Sequence, residues 1–250
     1  MTDQYVFYLL YSFVQGFTEF LPISSSGHLN ILEILHQGGD TRNLNYETTA
    51  HMGTLIALCL YLYSIGHFKI NNIRLNFFPI CIATVPGVLV GLALKFFDYS
   101  IVSIRIIGLS SIFGALLLYF AEAGYFKFTV KNRVYKFLIA GIFQCLAFIP
   151  GFSRSGACIT AFILLNENRK EASIFSLYLG LPIIGISFLG NITNINDFFI
   201  DGNVILIFFS SFVFAFLTLI YFIKLINNIS FKPFIIYRLI LGIILLTVFS

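Results

Sequence analysis

Residues 15–28 read Gln-Gly-Phe-Thr-Glu-Phe-Leu-Pro-Ile-Ser-Ser-Ser-Gly-His, within a chain of 250 residues that is otherwise mostly apolar. A carboxylate, three consecutive hydroxyls and an imidazole are costly to place in a membrane, where ionisable side chains usually face a cavity and mark a functional path. Residues 150–156, Pro-Gly-Phe-Ser-Arg-Ser-Gly, place a guanidinium in an equally apolar stretch. Together the two stretches predict a site for an anion, buried at membrane depth.

The composition places the chain among membrane proteins. Hydrophobic residues make up 58% of it, charged residues only 10%, and the mean hydropathy is +0.93, whereas about a quarter of the residues of a soluble domain are charged. The net charge of +4 predicts no nucleic-acid partner, because the basic residues lie in short loops between apolar segments, a pattern typical of membrane topology. We therefore predict an all-α polytopic membrane protein embedded in the lipid bilayer.

Apolar segments account for most of the chain. The uninterrupted ones are close to the ~20 residues that cross a bilayer; they are residues 48–66, 77–97, 101–121, 171–190, 203–223 and 234–249. Residues 5–33 and 134–165 are each broken midway by Pro, Gly and Ser, and broken backbone at membrane depth is tolerated only where protein or a water-filled cavity satisfies it. The pattern predicts six transmembrane helices plus two re-entrant helix–loop–helix hairpins.

The loop charges favour six spans over eight. Ten of the fifteen basic residues fall on one side of this layout: Lys69, Arg74, Lys127, Lys131, Arg133, Lys136, Arg169, Lys170, Lys224 and Lys232. Because loops rich in Lys and Arg stay in the cytoplasm, we expect that side to be cytoplasmic and both termini to lie outside. Arg42 and Lys95 are the basic residues of the opposite loops, which hold Asp3, Glu33, Asp40, Glu47, Asp98, Asp197 and Asp201.

An internal repeat relates the two broken segments. A shift of 129 residues aligns Gln15 with Gln144, Ser24 with Ser153, Ser26 with Ser155 and Gly27 with Gly156. Each half of a single membrane domain, about residues 1–125 and 126–250, then holds one hairpin and three spans. An odd number of spans inverts the second half, so we expect the hairpins to enter from opposite faces and their tips to meet, an arrangement common in secondary transporters.

The residues at the two breaks indicate what binds there. A Ser-Ser-Ser-Gly turn that opens a half-helix offers hydroxyls and unsatisfied backbone N–H groups to an anion. The fork of donors on Arg154 matches phosphate oxygens. We therefore expect a phosphate group at Arg154 and at the hydroxyls of Ser24, Ser25, Ser26, Ser153 and Ser155. The alternative is a structural ion pair between Arg154 and Glu19, which is compatible with phosphate binding in the resting state.

Glu19 and His28 supply acid–base capacity. Gln15 and Glu19 are four residues apart and share a helix face, so their side-chain oxygens are candidate ligands for a hard divalent cation that also holds phosphate oxygens. His28 follows the serines and is a candidate general acid or base.

The spacing leaves the nucleophile open. Ser25 or Ser24 would need His28 or Glu19 to take its proton, His28 would attack directly, or a metal-bound water would do so. His51, which opens the first full span, is interpreted as an interfacial residue.

Two long motifs carry a family resemblance. The stretch at 15–28 and the stretch Gln-Cys-Leu-Ala-Phe-Ile-Pro-Gly-Phe-Ser-Arg-Ser-Gly at 144–156 resemble the undecaprenyl-diphosphate phosphatase family, which is also associated with bacitracin resistance. Shorter motifs sit in the order that family shows: Ala-His-Met-Gly-Thr at 50–54, Ile-Ala-Thr-Val-Pro-Gly at 82–87 and Leu-Gly-Leu-Pro at 179–182. The likeness extends along most of the chain.

The resemblance implies an activity and a set of roles. A polyprenyl diphosphate would be hydrolysed to its monophosphate at the outer (periplasmic) face of the bacterial inner membrane, which recycles the carrier lipid for peptidoglycan and lowers bacitracin sensitivity. The family's motifs place catalysis on Glu19, Ser25, His28 and Arg154. They place substrate contacts on Ser24, Ser26, Ser153, Ser155 and Gly156. The family's Mg²⁺ or Ca²⁺ falls on Glu19 and Gln15, and a homodimer is compatible with the resemblance.

Two positions depart from the family's pattern. Position 15 holds Gln where some members have Glu, which weakens a metal or proton role there. Position 158 holds Cys where the family usually has Thr, so we expect the presumed phosphate pocket to lack one hydroxyl. A lost hydrogen bond to a charged group costs about 1.5–3 kcal/mol, which predicts that the level of activity is altered and not abolished.

The competing hypothesis is a transporter that flips a polyprenyl monophosphate or exchanges an anion through the same inverted-repeat site. It would bind the headgroup with the same residues and without chemistry. A transporter has no need of a nucleophile with an adjacent imidazole, so the sequence favours the enzyme.

Overall fold

A computed structural model describes residues 2–37, 44–67, 70–97, 103–191 and 202–249. In these ranges the chain forms α-helices and no strand. The helices are α1 (Thr2–Thr18), α2 (Ser25–Gln37), α3 (Leu44–Ser64), α4 (Ile70–Phe96), α5 (Ile104–Glu122), α6 (Arg133–Gln144), α7 (Arg154–Leu164), α8 (Arg169–Asn191), α9 (Gly202–Ile226) and α10 (Lys232–Val248). Several residues of the charge analysis lie outside the described ranges: Asp40, Arg42, Lys69, Asp98, Asp197 and Asp201.

Four of the described helices are long and apolar enough to cross a membrane. They are the segments Leu75–Phe96, Ile104–Glu122, Arg169–Leu189 and Gly202–Ile226, in α4, α5, α8 and α9. The other two predicted spans are helical as well, but α3 carries Glu47 and His51 in its first half and α10 has only 17 residues. The prediction of an all-α, multi-pass membrane protein is confirmed at this level.

Both predicted hairpins are interrupted by non-helical backbone. The first break (residues 19–24) separates α1 from α2. The second break (residues 149–153) follows one turn of 3₁₀ helix, Cys145–Phe148, and precedes α7. Pro22 and Pro150 favour non-helical backbone within the breaks, because proline has no N–H group and disfavours helical backbone in the preceding residue. Gly151 contributes a positive φ of 91° to the second break, a conformation that glycine adopts without steric cost.

The two halves of the chain pack against each other in a matching pattern. The first helix of each hairpin lies on the fourth helix of the other half: α1 packs on α9, and α6 packs on α4. Glycine permits both contacts. A Cβ on Gly16 would lie 2.8 Å from the Ala215 nitrogen, and a Cβ on Gly141 would lie 2.1 Å from the Ala83 carbonyl oxygen. Small residues allow such direct backbone contact between membrane helices. The pairs α3–α9 and α5–α10 complete the core.

Polar contacts gather the loops at two ends of the molecule. At one end, Arg169 Nε lies 2.6 Å from Glu122 Oε1, and Lys136 pairs with Glu167. All four residues fall at or beside loops that the charge pattern assigns to the cytoplasm. At the other end, the Tyr8 and Tyr46 hydroxyls are 2.8 Å apart, and the ring of His36 stacks on Phe7.

The contact between α6 and α4 predicts a stability effect. Gly141→Ala places a methyl group 2.1 Å from the Ala83 carbonyl oxygen, so one helix must shift, and overpacking of this kind costs about 1–3 kcal/mol. We expect the melting temperature in detergent to fall by several degrees. The matched control is Gly202→Ala, because nothing lies within 4 Å of a Cβ at position 202. Equal melting temperatures for the two variants would contradict the described packing.

Candidate active site

The two breaks are in direct contact. The Ser155 hydroxyl, on the first turn of α7, donates to the Leu21 carbonyl oxygen in the first break at 2.7 Å. Gly27, on the first turn of α2, packs on the second break, since a Cβ there would lie 3.1 Å from the Cα of Gly151. The N-terminal ends of α2 and α7 are thereby brought to one place in the core of the protein.

Glu19 is the centre of a buried polar cluster that draws on both hairpins. Glu19 lies in the first break, and only 7% of the residue's surface is exposed. Oxygen Oε2 accepts hydrogen bonds from Ser25 Oγ at 2.7 Å and from Gln15 Nε2 at 2.9 Å. Oxygen Oε1 accepts from Arg154 Nη2 at 2.9 Å. Sequence reasoning named all four of these residues, and the structure brings them together.

Arg154 reaches Glu19 from the second half of the chain. Its Nη1 group also donates to the Ser176 carbonyl oxygen on α8 at 3.3 Å. The guanidinium occupies space that is free because position 180 is glycine: a Cβ on Gly180 would lie 2.4 Å from Nη1. The ion pair proposed as an alternative for Arg154 is therefore present, and removing either partner would leave a buried, uncompensated charge.

His51 belongs to the same cluster, although the sequence suggested an interfacial residue. Gln15 Nε2 lies 2.9 Å from His51 Nδ1, and the same Nδ1 lies 3.6 Å from Glu19 Oε2. Because an amide NH₂ group only donates, Nδ1 accepts and the ring proton lies on Nε2, which is 3.9 Å from Glu47 Oε1. The available signal was a histidine within an apolar segment, which is costly unless it faces a polar site.

His28 lies apart from Ser25 and Glu19. Its Nδ1 is 2.6 Å from the Ser24 carbonyl oxygen, and its Nε2 is 2.6 Å from the Tyr237 hydroxyl on α10. A carbonyl oxygen only accepts, so Nδ1 carries the proton and Nε2 accepts from the tyrosine. The proposed contact between His28 and the nucleophilic serine is therefore absent from this geometry. Tyr237, which the sequence analysis did not identify, holds the ring in place.

The two half-helices begin with the same local geometry. Ser24 and Ser153 both have φ of 74°, which is uncommon for a residue with a side chain. Their hydroxyls accept from the amides of Gly27 at 3.3 Å and Gly156 at 3.1 Å. In each case the serine two residues on is a neighbour, with Oγ–Oγ distances of 3.4 Å for Ser24–Ser26 and 3.2 Å for Ser153–Ser155.

These two helix ends are suited to an anion. The dipoles of α2 and α7 place partial positive charge at their first turns, where backbone N–H groups remain available. Ser24 and Ser153 each cap one amide, so the Gly156 N–H is already occupied, in contrast to the substrate contact implied for that glycine. Backbone in the left-handed region costs about 1–3 kcal/mol at a residue with a side chain and is concentrated at binding sites.

Cys158 does not face this cluster. Its thiol is fully buried and lies 3.6 Å from Gln144 Oε1 and 4.0 Å from the Ala140 carbonyl oxygen. Both neighbours are on α6. The geometry of α7 therefore does not support the expectation that cysteine at position 158 leaves the phosphate pocket one hydroxyl short.

The oxygen atoms near Glu19 fit a hard divalent cation that shares its ligands with a phosphate. Gln15 Oε1 is buried and has no hydrogen-bond partner, and the amide nitrogen of the same side chain donates to Glu19 Oε2. Within the described ranges no group of three or more His, Cys, Asp and Glu residues is placed to hold a metal. One carboxylate and one amide oxygen suit Mg²⁺, which is usually bound by one or two carboxylates together with substrate phosphates and water.

An apolar groove runs along the lipid-facing side of the first hairpin. It has a volume of about 540 Å³ and lies between α1, α9 and the start of α10. Its walls include Phe13, Phe17, Leu21, Leu217 and Tyr221, and its far end carries Lys224 and Asn228. Leu21 joins the groove to the cluster, because the Leu21 carbonyl oxygen accepts from Ser155. We refer to this feature as the α1–α9 groove.

Comparison with known proteins identifies the family. The profile described as bacitracin resistance protein BacA matches residues 8–244. A protein of Saccharophagus degradans called undecaprenyl-diphosphatase is 36% identical over 253 residues, covering 92% of each chain. A protein of Methanococcus aeolicus with the same name is 33% identical over 251 residues, covering 96% of this chain and 97% of its own. The undecaprenyl-diphosphatase 1 of Pseudoalteromonas translucida is 34% identical, covering 94% and 95%.

These matches cover nearly the whole chain, including both breaks and the helices that surround them. The resemblance that the motifs at 15–28 and 144–156 carried is therefore confirmed. The chain belongs to the bacitracin resistance protein BacA family.

Proposed function

We propose that this protein hydrolyses undecaprenyl diphosphate to undecaprenyl phosphate and inorganic phosphate. One observation carries the proposal: the two oxygens of the buried Glu19 carboxylate hold a hydroxyl nucleophile, Ser25, and a phosphate-binding group, Arg154. A proton acceptor, a nucleophile and an anion ligand thus converge on one point where two helix N-termini meet. The name undecaprenyl-diphosphatase, carried by relatives that match almost end to end, supplies the substrate.

The geometry supports an assignment of the reacting groups. Ser25 Oγ attacks the terminal phosphorus while Glu19, 2.7 Å away, takes its proton. The bond between that phosphorus and the bridging oxygen breaks, and the lipid monophosphate leaves. Water then attacks the phosphoserine and releases inorganic phosphate, so one water is consumed per turnover. Arg154 releases Glu19 and binds the phosphoryl oxygens instead. It then stabilises the negative charge that develops on those oxygens.

The other polar residues orient these groups. Gln15 holds the second hydrogen bond on Glu19 Oε2, and His51 accepts from the same amide. His28, fixed between the Ser24 carbonyl oxygen and Tyr237, anchors the first turn of α2 on which Ser25 lies. The hydroxyls of Ser24, Ser26, Ser153 and Ser155 line the phosphate site at the two helix ends.

A divalent cation, Mg²⁺ or Ca²⁺, would be held by the Glu19 carboxylate and the unpaired Gln15 Oε1. Bound there, it would supply positive charge to the phosphate oxygens. The residues of the cluster otherwise act as described: Ser25 attacks, Glu19 accepts the proton and Arg154 binds the anion.

The α1–α9 groove is the proposed path of the prenyl chain. It is lined by aromatic and aliphatic side chains, and Leu21 at one end of it adjoins the site. An isoprenoid is wholly apolar, as these walls are, and it reaches the groove from lipid that is equally apolar, so its binding here rests on van der Waals packing. The first units of the chain would lie in this groove while the remainder extends into lipid.

The proposed topology has α3, α4, α5, α8, α9 and α10 crossing the membrane and both hairpins re-entrant. The half-helices α2, α6 and α7 have 13, 12 and 11 residues, so they extend about 16–20 Å, less than the ~30 Å of a bilayer core. The matched packing of α1 on α9 and α6 on α4 supports an inverted repeat of about residues 1–125 and 126–250. The basic loops then face the cytoplasm, and the active site opens to the periplasm.

The flippase or anion transporter gains no support. The relatives reported above carry a phosphatase name, and transport requires no hydrogen bond between a serine hydroxyl and a buried carboxylate. A homodimer stays a prediction.

The decisive test is phosphate release from undecaprenyl diphosphate by the purified protein in detergent, with and without EDTA. We expect release by the native protein, its loss in chelator and its recovery with Mg²⁺ or Ca²⁺. Arg154→Ala and Ser25→Ala should each lower kcat/KM on the order of 10³-fold, as loss of a transition-state arginine or a nucleophile does.

Arg169→Ala is the matched control for Arg154→Ala. Its side chain is 46% exposed and pairs with Glu122 at the cytoplasmic end, where an ion pair contributes only about 0–1 kcal/mol. Activity should stay within about twofold of native. Native turnover in a folded Arg154→Ala variant would refute the phosphatase assignment at this site, and full activity in EDTA would refute the cation.

The groove makes a separate prediction about chain length. Leu217→Trp fills the α1–α9 groove and should raise KM for undecaprenyl diphosphate on the order of tenfold, equivalent to about 1.4 kcal/mol of lost packing contacts. Turnover of a short-chain diphosphate, such as farnesyl diphosphate, should change little. Leu92→Trp serves as the control, because Leu92 lies on α4 and is 60% exposed. An unchanged KM in Leu217→Trp would place the prenyl chain elsewhere.

Topology can be measured by cysteine labelling in intact cells of a Gram-negative host. In a background without the four native cysteines, Gln4→Cys should react with a membrane-impermeant maleimide once the outer membrane is opened. Lys131→Cys, in the exposed loop before α6, should react only after the inner membrane is broken. The reverse pattern would invert the proposed orientation.

A further inference from the structure

Arg238 is fully buried in α10 and contacts both breaks. Its exposed fraction is 0%, and it is the largest of the fully buried side chains in the described ranges. Nη1 donates to the Pro22 carbonyl oxygen of the first break at 3.4 Å. Nη2 donates to the Phe152 and Gly151 carbonyl oxygens of the second break at 2.7 and 3.3 Å. A single guanidinium therefore joins two segments that are far apart in the chain.

These bonds supply hydrogen-bond donors to backbone carbonyl groups where the helices are interrupted. Within the described ranges no carboxylate forms an ion pair with Arg238, and its Nε has no hydrogen-bond partner. Its neighbours are instead carbonyl oxygens, which a broken helix at membrane depth leaves without intrahelical donors. Five N–H donors in a fixed plane suit several carbonyl groups at once.

The surrounding helices are shaped to admit this guanidinium. A Cβ on Gly114, in α5, would lie 2.1 Å from Arg238 Nη2, and a Cβ on Gly156 would lie 3.2 Å from Nη1. The Ser110 carbonyl oxygen on α5 also lies 3.5 Å from Nη2. The Ser110 hydroxyl donates to the Pro150 carbonyl oxygen, so α5 and α10 together support the second break.

We propose that Arg238 is a positioning residue for phosphoryl transfer: it fixes the two breaks relative to each other so that Glu19 and Ser25 meet Arg154. This inference rests on the proposed phosphatase function. Pro22 lies between Glu19 and Ser25 in the first break, and Phe152 lies two residues before Arg154. A guanidinium bonded to both segments sets the distance between nucleophile and anion ligand without touching the substrate.

The role is tested by separating kcat from KM. Arg238→Met removes the bonds to both breaks and should lower kcat about 100-fold, the cost of misplacing reacting groups by about 1 Å. KM should stay within about threefold, because Arg154 and the helix ends still bind the diphosphate. Arg238→Lys, with one compact ammonium in place of the fork, should recover part of the lost kcat.

Gly114→Ala provides a test that retains Arg238 and its charge. The added methyl group displaces Nη2 from the Phe152 carbonyl oxygen, so kcat should fall about tenfold with KM unchanged. Gly108→Ala is the matched control on the same helix. Its Cβ crowds Leu246 and the Gly242 carbonyl oxygen at 3.0–3.1 Å and does not approach Arg238. Its kcat per folded molecule should stay native, even if its melting temperature falls.

Two results would overturn the inference. A raised KM with native kcat in Arg238→Met would mean that Arg238 acts through its charge on substrate binding. Equal kcat per folded molecule in Gly114→Ala, Gly108→Ala and native protein would mean that Arg238 only stabilises the fold. The native protein is assayed alongside. Absence of phosphate release from the native protein would count against the proposed function. An active native protein together with a fully active Arg238→Met variant would count only against the positioning role of Arg238.

Discussion

The buried ion pair between Glu19 and Arg154 is the interaction on which the site depends. Its partners come from different halves of the chain, and the 2.9 Å bond between them spans the junction of the two breaks. Neither charge is stable alone at this depth, because burying an uncompensated ion costs several kcal/mol. The proposed reaction uses the same pair: a substrate phosphate would take Arg154 from Glu19, and the carboxylate so released is already bonded to the Ser25 hydroxyl.

Similar local geometry at the two breaks is used for different chemistry. Ser24 and Ser153 share a φ of 74° and the same capping bond to a glycine amide, so both half-helices direct their first turn to a common point. The residues that follow differ, since the first half supplies Ser25 and the second half supplies Arg154 at the aligned position. The proposed nucleophile and the proposed anion ligand thereby lie at two equivalent helix ends. Arg238, which belongs to neither hairpin, holds the two ends together.

The sequence predicted the class, the helices and most of the cluster, but not the direction of every side chain. The predicted segments match the helices because apolar length and proline position are local properties of the chain. Gln15, Glu19, Ser25 and Arg154 could be named because polar groups in apolar segments are rare. His28 is, from its proximity in sequence, one of two candidate proton acceptors for the serines, with Glu19 the other, whereas its ring points to Tyr237. His51 was set aside, and Arg238 was passed over inside the last apolar segment.

Composition, broken helices and two motifs were enough to determine a multi-pass helical protein and to predict an anion site at its two breaks, because each is written in short stretches of residues. The tertiary structure decided which residues meet across the two breaks, because the contacts of Arg154 with Glu19 and of Ser155 with Leu21 join segments more than a hundred residues apart. It alone placed His51 beside Glu19, turned Cys158 toward α6 and brought the Arg238 guanidinium to carbonyl groups of both breaks. Such contacts depend on how the helices rotate and pack, and glycines at positions 16, 114, 141 and 180 permit that packing. A local sequence pattern does not predict these contacts.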